Sequence, residues 1–350
     1  MKDIVFVGWV NTGKLPVDGE TTKNQYIIAE LEKYCTVHVL DFYQKNKHPW
    51  ICLQALWAFI RYPQATIIFS TSVQNVYAML KLFMKLGVRR KIIHWVIGGN
   101  FGDLIQKGRY NVAVFNYVKY NLVQCHEMID KLESAGVTNA KFVSNFKPIN
   151  YYPDLDECHK VRNSYGKMRF VFLSRIMADK GCDYILTAAR LLNEQGYTDK
   201  YMIDFYGKVD SDYKETFEKG VDSLDNVCYH GLLNLKSKEG YDELATYHAM
   251  LFPSYWRGEG FAGVFIDAFI AGLPVLASDW AHNAECIVDG KTGVIYPTHN
   301  VEALRQVMED CICHRVDLEM LSINVRLEAP KYQAEKVITE EYLRNLGLVE

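Results

Sequence analysis

Two periods of apolar residues alternate along this chain. Asp3–Val10, Thr36–Phe42, Thr66–Thr71 and Lys91–Ile97 are short and nearly continuous in apolar or β-branched residues, which predicts buried strands. Between them, Lys23–Tyr34 (with Ile27, Ile28 and Leu31 on one face) and Val73–Leu86 repeat at helical spacing. The pattern breaks over a polar, proline-bounded stretch, 151–166, then restarts at Met168–Ser174. A helix Asp183–Glu194, strands at Met202–Tyr206 and Val227–Tyr229, a helix Tyr241–His248, and strands at Val275–Ser278 and Val294–Tyr296 follow. Such alternation means parallel sheets covered by helices on both faces. The fold class is therefore α/β, with two doubly wound, Rossmann-like domains at 1–150 and 167–330, a linker at 151–166 and a last helix within 331–350, Tyr332–Leu346.

One stretch concentrates chemistry. From Pro253 to Ser278 a Pro-Ser turn leads to Gly258-Glu259-Gly260, an apolar helical run Phe261–Ile270, Gly272, Pro274 and the strand Val275–Ser278. Strand, glycine turn, helix and strand form a βαβ unit whose helix N-terminus suits a phosphate. If Glu259 and Asp267 share that helix, their carboxylates lie on one face about 12 Å apart, a spacing for two parts of an extended ligand. The plainer alternative is a dipole contact for Glu259 and a solvated Asp267. Arg175 and Lys180 bracket another turn into a helix N-terminus, a place for a diphosphate, or simply two solvated cations. Asp154-Leu155-Asp156 has the DxD form of a metal site, but in a proline-bounded linker rather than after a buried strand. The loop Asn11–Thr22, with Gly13, Pro16 and Gly19, follows the first strand, where doubly wound sheets bind ligands. It has neither GxGxxG nor a full Walker pattern.

Composition narrows the class. The 350 residues are 49% apolar, enough for two cores. Nine cysteines without a CxxC read as reduced thiols of a cytosolic protein, with no metal centre. No cleavable signal opens the chain, and Trp50–Ile60, its longest apolar stretch, is too short to span a bilayer. The net charge of −3 hides an asymmetry: residues 1–150 hold 18 Lys and Arg against 10 Asp and Glu, and the remainder 21 against 32. No nucleic-acid module accompanies the basic half, which leaves phosphates or an anionic membrane as its partners. Met79–Leu86 with Arg89, Arg90 and Lys91, and the run opened by Pro49-Trp50, could lie on such a membrane or be ordinary core helices.

Ten ordered elements over about 120 residues give the second half a resemblance. They are Ser174-Arg175 through Lys180-Gly181, Tyr206-Gly207, Gly231, Pro253-Ser254, Gly258-Glu259-Gly260-Phe261, Asp267-Ala268, Ala271–Val275, Ser278-Asp279-Trp280, Asn283 with Glu285, and Asp289–Gly293. In this series the chain resembles the retaining glycosyltransferases of family 4, which have the GT-B fold, and most of all the branch that builds bacterial capsular and surface polysaccharides. The first half matches in layout and in pieces such as Val143–Phe146.

The resemblance implies a nucleotide-sugar donor, UDP-linked by preference, held by the second domain. Glu259 would contact the donor sugar, with Gly207, Ser254 and the backbone of Gly260 and Phe261 around it. Asp267 would hold the ribose, one methylene shorter than the family's usual Glu. Arg175 and Lys180 would stabilise the leaving diphosphate, so that no metal or other cofactor is required. The acceptor, a saccharide or lipid-linked saccharide, would lie in the central cleft against the loop Asp18-Gly19-Glu20-Thr21, which lacks the family's double glycine. The last helix would cross back to the first domain, and the protein would work in the cytoplasm or at the inner membrane face. Where relatives carry a histidine before a glycine, this chain has Ile97; His94, three residues earlier, is either shifted into catalytic use or structural, and His126 is a further candidate. A transferase acting on a soluble small acceptor and a catalytically silent nucleotide-sugar-binding partner are the alternatives.

Overall fold

The structure, a computed structural model, describes residues 1–16, 18–43 and 50–350; Val17 of the expected acceptor loop and Pro49 of the apolar run lie outside the described residues. The chain forms two compact units, Met1–Pro148 with Tyr332–Glu350, and Ile149–Lys331.

In the first unit six strands, β1 Asp3–Gly8, β2 Thr36–Asp41, β3 Thr66–Thr71, β4 Ile92–Val96, β5 Tyr120–Val123 and β6 Ala140–Phe142, form a sheet in the order β2-β1-β3-β4-β5-β6. Every neighbouring pair is parallel. All residues of β3 and β4 are buried, as strands covered on both faces must be. Its helices include α1 Gly19–Glu32, α2 Ile51–Arg61 and α3 Val73–Lys85. The core around Ile4, Phe6, Ile27, Leu31, Ile68, Ile93 and Trp95 also takes in Ala334, Ile338, Leu343, Leu346 and Leu348.

That last segment is not the single helix expected over Tyr332–Leu346. It is divided into Ala334–Val337 and Glu340–Asn345, because Thr339 stands between them as an N-cap and its hydroxyl accepts from the Tyr342 amide at 3.0 Å.

The second unit repeats the plan with β7 Met168–Leu173, β8 Tyr201–Tyr206, β9 Val227–Tyr229, β10 Ala249–Phe252, β11 Val275–Ser278 and β12 Gly293–Tyr296, in the order β12-β11-β10-β7-β8-β9. The stretch read as a linker folds within it: Leu155–Ser164 is a helix, and Asp154 of the DxD is its N-cap, accepting from the amides of Asp156 and Glu157. Local capping thus accounts for the first of these carboxylates.

Each sheet reverses its strand order once, between β1 and β3 in the first unit and between β7 and β10 in the second. Outside the carboxyl ends of such strand pairs lies the crevice where open α/β sheets bind ligands. Among the described residues no helix is long and apolar enough to cross a membrane.

Beside the second crevice the chain approaches itself so closely that only glycine fits. Gly207, just after β8, has φ +148°, and a Cβ there would stand 1.7 Å from the Ser174 carbonyl oxygen. Its amide donates to the Gly231 carbonyl at 2.7 Å, and its carbonyl accepts from the Tyr229 hydroxyl at 2.9 Å. Gly207→Ala is expected to destabilise the fold by more than about 3 kcal/mol, measured by denaturant unfolding, because it combines a forbidden backbone angle with a backbone clash.

Candidate active site

Two loops meet at the crevice of the second unit. One leaves β7 with Ser174-Arg175, runs through the short turn Ala178–Lys180 and turns at Gly181, φ +77°, into the helix Cys182–Glu194. The other leaves β10 with Pro253-Ser254 and reaches Glu259 before the helix Gly263–Ile270 begins. Gly181 lets them touch, since a Cβ there would lie 2.3 Å from the Pro253 carbonyl oxygen.

Where they touch, Lys180 Nζ donates to Glu259 Oε2 at 2.5 Å, and Ser254 Oγ donates to the same oxygen at 2.7 Å. Lys180 and Glu259 are buried, at 7% and 5% exposure, so each is the other's compensation for lost hydration. The carboxylate's own loop is pinned on both sides. Ser278 Oγ donates to the Ser254 carbonyl at 2.7 Å, and Trp280 Nε1 to the Trp256 carbonyl at 2.8 Å. Trp256 also lies beside both cations, its ring centre 5.0 Å from Lys180 Nζ and 5.4 Å from the Arg175 guanidinium carbon. Arg175 itself is exposed.

The structure thus brings together Arg175, Lys180, Ser254 and Glu259, with Gly207 lining the same edge of the sheet. Glu259 is not on the helix with Asp267, as the apolar run suggested; Glu259 and Phe261 precede its first residue, Gly263, so the 12 Å helical spacing does not apply. Asp267 is on that helix, buried, and accepts from the Tyr241 hydroxyl at 2.8 Å. Gly260 and Phe261 are half-buried in the turn between. Trp256 and Tyr241 were missed by sequence reasoning; the signal for Trp256 was an aromatic residue placed between a strand end and the glycine-flanked carboxylate.

Of the two readings of His94, its surroundings fit the structural one. In the middle of β4 it is wholly buried, with Nδ1 3.2 Å from Asn121 Oδ1 and Nε2 3.2 Å from the Thr71 carbonyl oxygen. Burial pushes the imidazole down to about 4 against both contacts. Packed beside Phe101 and Phe115, it is a structural histidine.

At the first unit's crevice, Asp41 at the end of β2 accepts from the amides of Val10, Thr12 and Tyr43 and fixes the chain leaving β1. The loop expected to meet the acceptor is shorter than its sequence suggested. Asp18 is the N-cap of α1, accepting from the Thr21 amide at 2.8 Å, while Thr21 Oγ1 accepts from the Asp18 amide at 3.1 Å, so Gly19, Glu20 and Thr21 form the first helical turn. Burial pushes the half-buried Glu20 carboxyl up to about 7, against a hydrogen bond with Thr71 and with help from the Asp18 charge. Next on α1, buried Lys23 donates to Asn145 Oδ1 at 2.7 Å and lies 3.7 Å from the Phe146 ring centre. Burial, then the Lys147 charge, hold its ammonium well below the usual range.

For a metal, Asp204, Cys228 and His230 stand close enough together. Asp204 is already engaged there by His230 at 2.8 Å, the Tyr247 hydroxyl at 2.8 Å and Arg169 at 3.3 Å, which describes a buried charge network.

Residues 156–326, most of the second unit, match the family model described as "Glycosyl transferases group 1". The two-unit architecture as a whole is the GT-B fold: the structure of HepE from Anabaena in complex with UDP aligns over 100% of both chains with a TM-score of 0.75 at 15% identity. Among curated relatives, an uncharacterized 41.2 kDa protein in the cps region of Klebsiella pneumoniae is 27% identical over 160 residues, 46% of this chain and 41% of the relative. The capsular polysaccharide biosynthesis glycosyltransferase CapM of Staphylococcus aureus is 24% identical over 192 residues, 52% of this chain and 48% of CapM. The chain therefore spans less than half the length of these two relatives.

Two predictions follow from the charges. Lys180→Met and Glu259→Leu should each cost about 3 kcal/mol in denaturant unfolding, because each strands a buried charge, while the double variant should recover most of that loss. For Glu20 the folded pKa of about 7 lies above the unfolded value of 4.5. Its stabilising contribution is therefore complete below pH 4.5 and is lost as pH rises through about 7. Glu20→Gln should leave Tm unchanged at pH 4.5 and raise it by a few degrees at pH 8, read by calorimetry.

Proposed function

We propose that the chain is a retaining glycosyltransferase of family 4 type, a hexosyltransferase that moves a sugar from a nucleotide-sugar donor to a growing, lipid-diphosphate-linked saccharide of a surface polysaccharide. The observation that carries this reading is the buried Lys180–Glu259 pair at the strand-order reversal of a glycosyl transferases group 1 domain. HepE, of the same fold, binds UDP, and CapM is a capsular polysaccharide glycosyltransferase, which supports a UDP-sugar and a polysaccharide.

The residues divide the work by charge. A donor diphosphate entering the crevice would take hydrogen bonds from Lys180, whose ammonium has three donors and gives one to Glu259, and from exposed Arg175. Glu259, held by Ser254, would accept from hydroxyls of the transferred sugar, and Asp267 from the ribose. As the bond from C1 to the phosphate oxygen breaks, negative charge grows on the diphosphate where these cations wait. An acceptor hydroxyl attacks C1 from the same face, and its proton passes to the departing phosphate oxygen. The product keeps its anomeric configuration, and the two cations supply the leaving-group stabilisation without a metal. Acceptor binding falls to the Asp18–Thr21 turn and its crevice, and the lipid carrier makes the enzyme peripheral to the inner membrane face.

The test is a panel of UDP-, GDP- and dTDP-sugars, read by thermal shift and slow donor hydrolysis. One donor should stabilise the protein and be hydrolysed equally with and without EDTA, with retained configuration by NMR. Arg175→Met should lower turnover about 100-fold or more, and Glu259→Gln likewise. Binding without hydrolysis, even when saccharide acceptors are added, would identify a silent binding protein; an inverted product would refute same-face attack.

A further inference from the structure

Helix α2 is apolar on the wrong side. Its core face is made of small or medium residues, Ile51, Ala55 and Ala58, all buried. The opposite face, at positions 53, 56, 57 and 60 of one helical stripe, presents Leu53, Leu56, Trp57 and Ile60 at 59%, 57%, 60% and 72% exposure, and Trp50 just before the helix is 69% exposed. The two indoles alone offer on the order of 300 Å² to solvent. Soluble monomers rarely leave contiguous apolar patches larger than a few hundred Å² uncovered.

Its neighbour continues the surface. Phe59 of α2 meets Phe83 of α3 edge to face, 5.6 Å between ring centres. Beyond that contact α3 exposes Leu82 and Leu86 beside Lys81 and Lys85, with Arg89 exposed just past its end. The whole stretch from Phe42 to Gly102, 61 residues, contains no Asp or Glu and eight Lys or Arg. Two of those cations are structural. Arg90 donates to the carbonyls of Phe59, Tyr62 and Ala65 and so clasps the end of α2, and Lys91 donates to the Gly347 carbonyl at 2.7 Å. Arg61, Lys81, Lys85 and Arg89 remain exposed around the apolar face.

We propose that this face docks on a bilayer containing anionic lipid, with Trp50, Leu53, Leu56, Trp57 and Ile60 entering the boundary of headgroups and acyl chains and the four exposed cations lying against lipid phosphates. Apolar bulk with interfacial tryptophans and cations of one sign is the composition that suits this surface. A second copy of the chain would set cations against cations, which opposes self-association. The purpose of the docking rests on the lipid-linked acceptor proposed above; the surface itself rests on these side chains.

The 350-residue chain is sedimented with vesicles of phosphatidylcholine alone or with about one third phosphatidylglycerol. Binding should need the anionic lipid, weaken with salt, and fall at least tenfold both in Leu53→Gln/Trp57→Gln/Ile60→Gln and in Lys81→Gln/Lys85→Gln/Arg89→Gln. Both triple variants should keep the wild-type Tm, since the replaced side chains are exposed. No binding of the wild type, equal binding by the variants, or a dimer in light scattering that the α2 variant dissolves would each overturn the proposal. Vesicle binding without turnover of any nucleotide sugar would support the docking surface while refuting the proposed reaction; turnover without vesicle binding would do the reverse.

Discussion

Two opposite charges buried together constrain how two loops leave the sheet of the second unit. Neither Lys180 nor Glu259 could be withdrawn from water alone, and each comes from a different loop, so the pair fixes how the chain leaves β7 relative to how it leaves β10. The neighbouring features follow from that demand. Gly181 removes the side chain that would hold the loops apart, Ser254 fills a second lone pair of the carboxylate, and Ser278 and Trp280 tie down the backbone on either side of it. A buried ion pair gives little net stability, but it does define geometry. What it preserves is a cation and a carboxylate at a fixed separation in a place of low dielectric, where electrostatics act strongly on a ligand.

The first unit solves the same problem with less charge. Asp41 uses backbone amides to hold the chain beyond β1, and Asp18 uses a capping box to start α1 at the crevice; both turn a carboxylate into a fixed acceptor of local hydrogen bonds. Glu20 is the exception. Desolvated at the start of a helix, its carboxyl can donate as well as accept a hydrogen bond near neutral pH.

How legible this was depended on how local the determinant was. Buried parallel strands such as β3 and β4 announce themselves as continuous apolar runs, and the loops at β7 and β10 could be read because glycine, proline and charge cluster there. The helix Leu155–Ser164 could not. It buries little more than Cys158 and Arg162, the latter paired with Glu319 far along the chain, so its sequence looks like a polar linker. His94 was ambiguous because a strand's period says that alternate residues share a face, not whether a helix covers that face. The capping box at Asp18 and Thr21 was written in the sequence and overlooked, whereas Trp256 becomes meaningful only once two loops distant in sequence are seen to meet.

The first unit is assembled from both ends of the chain. Tyr342 donates to the Phe142 carbonyl, the Cys35 thiol to that of Leu348, and Ala334, Ile338, Leu343 and Leu346 are part of the core that also contains β1. During synthesis this reverses the order that position in the gene would suggest. Residues 149–331 form a contiguous unit, while the first unit waits for residues near 348 before its core is closed. All six strands of the first sheet are therefore made long before residues 334–348 supply the helical side chains that close the core beside β1.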